Sequence, residues 1–124
     1  MSRPYILDTG YSYTEEQLWS LDIPSEVISI SELENNLDIP YLEQEGTDDW
    51  NLTPRELLKD LAKNPSHAKR VVDADLKYPI HIFKHMDQWI ILDGVHRFTQ
   101  HIHLGHTSIS VKKVTERMLE QPTP

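Results

Sequence analysis

The apolar run Trp89-Ile90-Ile91-Leu92 ends in Asp93-Gly94, and a helical pattern begins at once. Four apolar residues in succession read as a strand buried on both faces. Val95, Phe98 and Ile102 then recur at helical spacing with Thr99 beside them, and Gly105 supplies a C-terminal stop. The pattern predicts a strand, a one-residue hinge and a helix. Just upstream, Pro79 introduces a second strand over Ile80 to His85, with Met86-Asp87 as a hairpin turn. Downstream, Thr107 to Val114 alternates Ile109 and Val111 with polar residues, a strand with one wet face.

The rest of the chain is punctuated by helix starts. Met1 to Tyr13 reads as an irregular arm pinned by Tyr5, Tyr11 and Tyr13. Thr14-Glu15-Glu16-Gln17 resembles a capping box and opens a short helix through Leu21. Glu26 to Ile30 is a predicted strand, and Ser31-Glu32-Leu33-Glu34 a second capping box opening one or two helical turns. Thr53-Pro54-Arg55-Glu56 is the clearest start, with a capping threonine, proline at the first helical position and glutamate at the third. That helix is expected to reach about Lys63 and to bury Leu57, Leu58 and Leu61. Asn64-Pro65-Ser66 breaks it and caps the next, His67 to Ala74, with Ala68, Val71 and Val72 inward and Lys69 and Arg70 toward solvent. Thr115 to Glu120 is expected to form a last turn and 121–124 to fray. Together these elements predict one domain over 1–124, of α/β (α+β) class: a small mixed sheet with helices packed around it, its core over about 25–115.

Residues 37–52 are expected to form a loop holding Pro40, Gly46 and the acidic group Glu43, Glu45, Asp48 and Asp49. A loop of that length in a small domain is commonly functional or mobile. Asp48 and Asp49 lack the spacing of a calcium loop, and a solvated acidic loop is the plainer expectation.

Charge divides the chain. Residues 1–62 carry fourteen acidic and three basic side chains, a formal −11, and residues 63–124 carry six and nine, a formal +3. An anion site therefore belongs in the second half, where the histidines also lie. The acidic first half disfavours duplex DNA and suits a protein partner, although acidic surface also simply confers solubility. With no cysteine, disulfides, thiolate nucleophiles and cysteine metal sites are excluded, which fits a cytoplasmic protein. Met1 to Gly10 lacks the basic and apolar regions of a signal peptide, and no apolar run approaches membrane-spanning length.

The candidate chemistry sits where the strand gives way to the helix. The first turn of a helix leaves backbone N–H groups unpaired and partly positive, so it attracts anions. Gly94 lets a ligand approach its backbone, His96 and Arg97 lie in that turn as donors, and Arg97 can grip a phosphate with two N–H groups. Asp93 at the strand tip can hold a metal, take a proton or orient a hydroxyl. The alternative is that Asp93 only caps the helix and Arg97 is only its ion-pair partner. His101, His103 and His106 crowd the other end of the helix, but i and i+2 point apart and no zinc-binding histidine spacing occurs, so no metal ligands are assigned.

From Val71 to Val114 the sequence resembles the ParB/sulfiredoxin superfamily: Ala74-Asp75-Leu76, Pro79-Ile80, a hairpin, Leu92-Asp93-Gly94-Val95-His96-Arg97-Phe98, Leu104-Gly105 and a final strand. Glu26 to Pro40 resembles the opening strand and turn of such domains. The resemblance implies a nucleotide-phosphate cradle formed by Gly94, Val95, His96 and Arg97. Sulfiredoxins carry a catalytic cysteine where this chain has Val95, so sulfinic-acid repair is not expected. ParB partition proteins, which are CTP-dependent, carry a Gly-Glu-Arg-Arg type motif and a following DNA-binding domain. Gly94-Val95-His96-Arg97 departs from that motif, and DNA partitioning is not expected of this chain. Free-serine kinases of the same fold carry an acidic residue before the glycine and a His-Arg pair, as here. That resemblance places Asp93 beside a substrate hydroxyl, with Glu34 as a second carboxylate and ATP or ADP with Mg2+ as cofactors. A capping role explains Glu34 equally well.

Two main functional expectations follow. The first is a nucleotide-binding domain acting as a phosphotransferase on a small hydroxyl compound, with Asp93, Glu34 and His96 as catalytic groups. The second is a non-catalytic regulatory module that meets a protein partner through its acidic half and the 37–52 loop. A ParB-like nuclease is a third, disfavoured by the charge of −8.

Overall fold

The computed structural model describes residues 14–44, 49 and 51–120. The predicted arm over 1–13 and the tail over 121–124 lie outside the described residues, as do Glu45, Gly46 and Asp48. Within them the chain is a small α+β fold. Helix α1 (Glu15–Ser20) leads to strand β1 (Glu26–Ser29) and a 3-10 helix, Ile30–Asp38. Helix α2 (Pro54–Lys59), a 3-10 turn (Leu61–Lys63) and helix α3 (Pro65–Val72) follow. The second half runs β2 (Ile80–His85), β3 (Gln88–Asp93), α4 (Val95–His103), β4 (Ser108–Val114) and α5 (Glu116–Glu120). The four strands form one mixed sheet in the order β1-β4-β2-β3. The β1/β4 and β2/β3 pairs are antiparallel and β2/β4 is parallel.

The local signals act as chemistry requires. Both threonine capping boxes form: Thr14 accepts from the Gln17 N–H and Thr53 from the Glu56 N–H, and each partner's side chain returns the bond. The Met86-Asp87 turn places both residues in the left-handed region, φ 52° and 64°, the geometry that matches hairpin twist. The core gathers Leu33, Leu57, Val71, Ile80, Ile82, Phe98 and Val111, all essentially inaccessible to water.

Several expectations need correction. Ser31-Glu32-Leu33-Glu34 forms no capping box. Ser29 stands at the helix start without a side-chain cap, and its hydroxyl bonds that of Ser31 instead. The segment is 3-10 because a three-residue period aligns Ile30, Leu33, Asn36 and Ile39 on its inward face. The 37–52 segment is no detached solvated loop. Ile39, Tyr41, Leu42 and Leu52 are buried, and Leu42 bridges Leu52. The helix expected to reach Lys63 stops at Lys59, because Asp60 leaves helical geometry and its carboxylate caps Lys63. Leu58 and Leu61 are only half-buried, and Asn64 makes no side-chain cap on α3. Val72, expected inward, is exposed.

Strand β3 lies at the sheet edge yet carries apolar residues on both faces. Its free edge is sealed by side chains from the 3-10 helix and the segment after it. Asn35 and Asn36 donate to the Trp89 carbonyl, Tyr41 donates to Asn36 Oδ1, and the Ile91 N–H donates to the Tyr41 hydroxyl. A buried backbone group without a partner costs about 1–3 kcal/mol, so this polar patch permits a doubly apolar edge strand.

Candidate functional site

The end of β3 is re-aimed by a bulge. Ile91 pairs with Ile82 but Asp93 with His81, leaving Leu92 as the extra residue. Asp93 thereby faces His81, with Oδ2 3.8 Å from Nδ1. The same oxygen accepts from Trp19 Nε1 at 2.9 Å and from Arg97 Nη2 at 2.9 Å, and no hydrogen bond reaches Oδ1 from a described residue. One carboxylate oxygen is clamped, and the other has no partner among the described residues. Asp93 is therefore no helix cap, but the ion pair with Arg97 does form.

Gly94 starts α4 at φ +106°, a left-handed conformation, and a Cβ there would lie 2.5 Å from Ile80 Cγ2. The space expected to admit a ligand is filled by Ile80, so the glycine is demanded by backbone conformation and by strand–helix packing. Glycine also offers no capping side chain. The first bond the turn makes is the Phe98 N–H to the Gly94 carbonyl, and the N–H groups of Val95, His96 and Arg97 have no acceptor among the described residues. They border two adjoining cavities, of about 260 Å³ and about 510 Å³, both lined by Asp93, Gly94, Val95, His96 and Arg70.

The histidine of the motif is held in one state. His67 Nε2 lies 2.7 Å from the Glu43 carbonyl, and its Nδ1 lies 3.1 Å from His96 Nε2, the rings stacked at 5.3 Å. A carbonyl can only accept, so His67 donates from Nε2. With His67 neutral, its Nδ1 accepts from His96 Nε2, and His96 Nδ1 is left as an acceptor. Burial, then the neighbouring His67 and Arg70, push His96 down to about 4, so it is neutral at pH 7. The His96 side chain is thus an acceptor for a hydroxyl hydrogen rather than a cationic clamp, and only its backbone amide suits an anion. Arg97 is similarly committed: Nη1 donates to the Pro79 carbonyl while Nη2 holds Asp93.

Asp93, Gly94, Val95, His96 and Arg97 are brought together as the sequence suggests. Glu34 is not among them. It is exposed on the 3-10 helix, close enough to Arg55 to raise the pKa of that guanidinium, and lines neither cavity. Arg70, read from sequence as solvent-facing, is exposed but overhangs both cavities and makes no ion pair with a described residue. Trp19 and His67 come from distant segments, and no local signal marked them. The carboxylates beside the larger cavity are partly neutralised: Asp73 pairs with Lys69 and Asp75 with Lys77. Glu15 and Glu43 keep the rim of the smaller one acidic. No group of three or more metal-ligating side chains occurs among the described residues. Nor is any helix among them long and apolar enough to cross a membrane.

Compared with protein-family models, with curated proteins and with solved structures, the chain matches none.

Proposed function

We propose that this domain binds the phosphates of a nucleotide over the first turn of α4 and transfers a phosphoryl group to a small hydroxyl compound. The observation that carries the reading is the open turn: three backbone donors with no acceptor among the described residues, on residues that line cavities overhung by Arg70, which has no ion pair with a described residue. An oxyanion there completes the helix and gains the field of its dipole. Arg70 supplies the two-pronged contact expected of Arg97, which Asp93 already holds.

The remaining groups suit phosphoryl transfer. Magnesium is usually held by phosphates and one or two carboxylates, and Asp93 Oδ1, fixed in place by the clamp on Oδ2, fits that part. The acidic rim favours a nucleotide carrying its cation over a bare polyanion. His96 Nδ1 accepts the hydrogen of the acceptor hydroxyl and orients its oxygen. Likeness to the ParB/sulfiredoxin superfamily, and to its free-serine kinases in particular, rests on the Asp93-to-Arg97 motif in a strand–helix setting and is part of this proposal.

Calorimetry with ATP, ADP, CTP and GTP, each with Mg2+, tests the binding. At least one should bind, and Arg70→Ala should weaken it by about tenfold or more, the loss of a charge-assisted contact. Binding by none, or binding indifferent to Arg70→Ala, overturns the reading. Asp93→Asn should abolish transfer to a hydroxyl acceptor. Unchanged turnover would remove Asp93 from the chemistry.

A further inference from the structure

A third cavity, of about 420 Å³, lies on the far side of Arg97 and is lined by Trp19, Tyr78, Pro79, His81, Arg97 and Lys112. Trp19, Tyr78 and Arg97 also line the 510 Å³ cavity at the α4 turn, so the two spaces adjoin at the Arg97 side chain. Their sizes fall within the range of small-molecule sites.

Its lining differs from the rest of the molecule. In a chain with 20 acidic and 12 basic side chains, no carboxylate of a described residue lines this cavity, whereas two cations do. Two aromatic residues form its walls although they stand more than half exposed, Trp19 at 57% and Tyr78 at 55%. Large aromatic rings left in water at one cavity offer flat apolar contact area. The Trp19 ring is fixed by its indole bond to Asp93. The Lys112 ammonium forms no ion pair and the Tyr78 hydroxyl no hydrogen bond with a described residue. The Pro79 carbonyl is already taken by Arg97. The floor is His81, 95% buried, its ring nitrogens without a hydrogen-bond partner among the described residues and Nδ1 3.8 Å from Asp93 Oδ2. The charged groups available to a ligand are therefore donors only, set around aromatic surface.

We infer that this cavity is the base subsite for the nucleotide, taking a planar heterocycle that stacks on Trp19 or Tyr78 and turns a carbonyl oxygen toward Lys112. The inference rests on the phosphate reading above and adds the identity of the base. Guanine, cytosine and uracil each carry an exocyclic carbonyl, and adenine carries none. The site thus favours GTP, CTP or UTP over ATP. The adjoining cavities place the ring beyond Arg97 and the phosphates over Val95 and His96.

Titration of the whole protein with Mg2+ and either tripolyphosphate, GTP, CTP, UTP or ATP separates the two readings. Tripolyphosphate binding reports the phosphate site alone; its absence together with that of nucleotide binding ends both proposals. Given that binding, at least one carbonyl-bearing nucleotide should bind about tenfold more tightly than tripolyphosphate and more tightly than ATP, in line with typical base–aromatic stacking. Tyr78→Ala should weaken that nucleotide by about fivefold or more and leave tripolyphosphate unchanged. Lys112→Ala should narrow the gap between that nucleotide and ATP. Nucleotides bound no better than tripolyphosphate, or a Tyr78→Ala loss shared equally by both, would overturn the base subsite while leaving the phosphate site standing.

Discussion

Helices α2 and α4 begin in opposite ways. At α2, Thr53 and Glu56 exchange side-chain and backbone bonds, and Pro54 removes one donor altogether. At α4, Gly94 contributes no side chain, no proline follows, and three N–H groups have no acceptor among the described residues. Side chains seal the starts of α1, α2 and α5, whereas α3, like α4, has no side-chain cap. What sets α4 apart is its setting, beside a clamped carboxylate and an arginine with no ion pair to a described residue. On the proposed function, sealing serves stability and the open turn serves binding.

That contrast predicts where substitutions act. The largest effect is expected from Gly94→Ala, which adds left-handed strain to a clash with Ile80. It should lower unfolding free energy by about 4 kcal/mol in urea titration. A loss under about 1 kcal/mol would mean that β3 and α4 are not locked at this point.

Acid should act next. His96 is held near 4 against an ordinary 6.5, chiefly by burial. Between those values the unfolded chain takes up a proton that the folded chain excludes, so stability rises with pH across the window and is lost on acidification. The loss has an upper bound of about 3 kcal/mol between pH 7 and pH 4. His81 and His101 are also lowered by burial and act in the same direction. His96→Gln should flatten part of the slope in melts at several pH values, and an unchanged slope would assign it to the other two.

Thr53→Ala, which unseals α2, should cost about 1 kcal/mol and leave ligand binding untouched. Arg70→Ala should do the converse, changing stability by less than about 0.5 kcal/mol while weakening binding. A stability loss at Arg70 comparable to that at Thr53 would erase the distinction between the two helix starts.

Much of this was legible in the chain. Capping boxes, the hairpin and the strand–glycine–helix junction are written in contiguous residues, whose chemistry acts over one turn. The open end of α4 was legible too, since Gly94 is no side-chain cap. What pairs across the fold was not. Nothing near Asp93 announces Trp19, 74 positions away, and nothing near His96 announces His67. Glu34 shows the converse: the family resemblance implies a second carboxylate beside Asp93, whereas Glu34 stands exposed on the 3-10 helix and lines neither cavity. The segment after Leu37 looked polar because its acids drew attention, while Ile39, Tyr41, Leu42 and Leu52 were spending their surface on the core.

The bond from Trp19 to Asp93 ties the first described helix to the tip of the third strand. The β2–β3–α4–β4 portion is continuous in sequence and can assemble through near neighbours. The indole arrives only after a much longer stretch of chain has been drawn in, and closing such a loop is slow. The indole contact is thus expected to close after the β2–β3–α4–β4 pairings, and a molecule caught before that step would hold Asp93 through Arg97 alone.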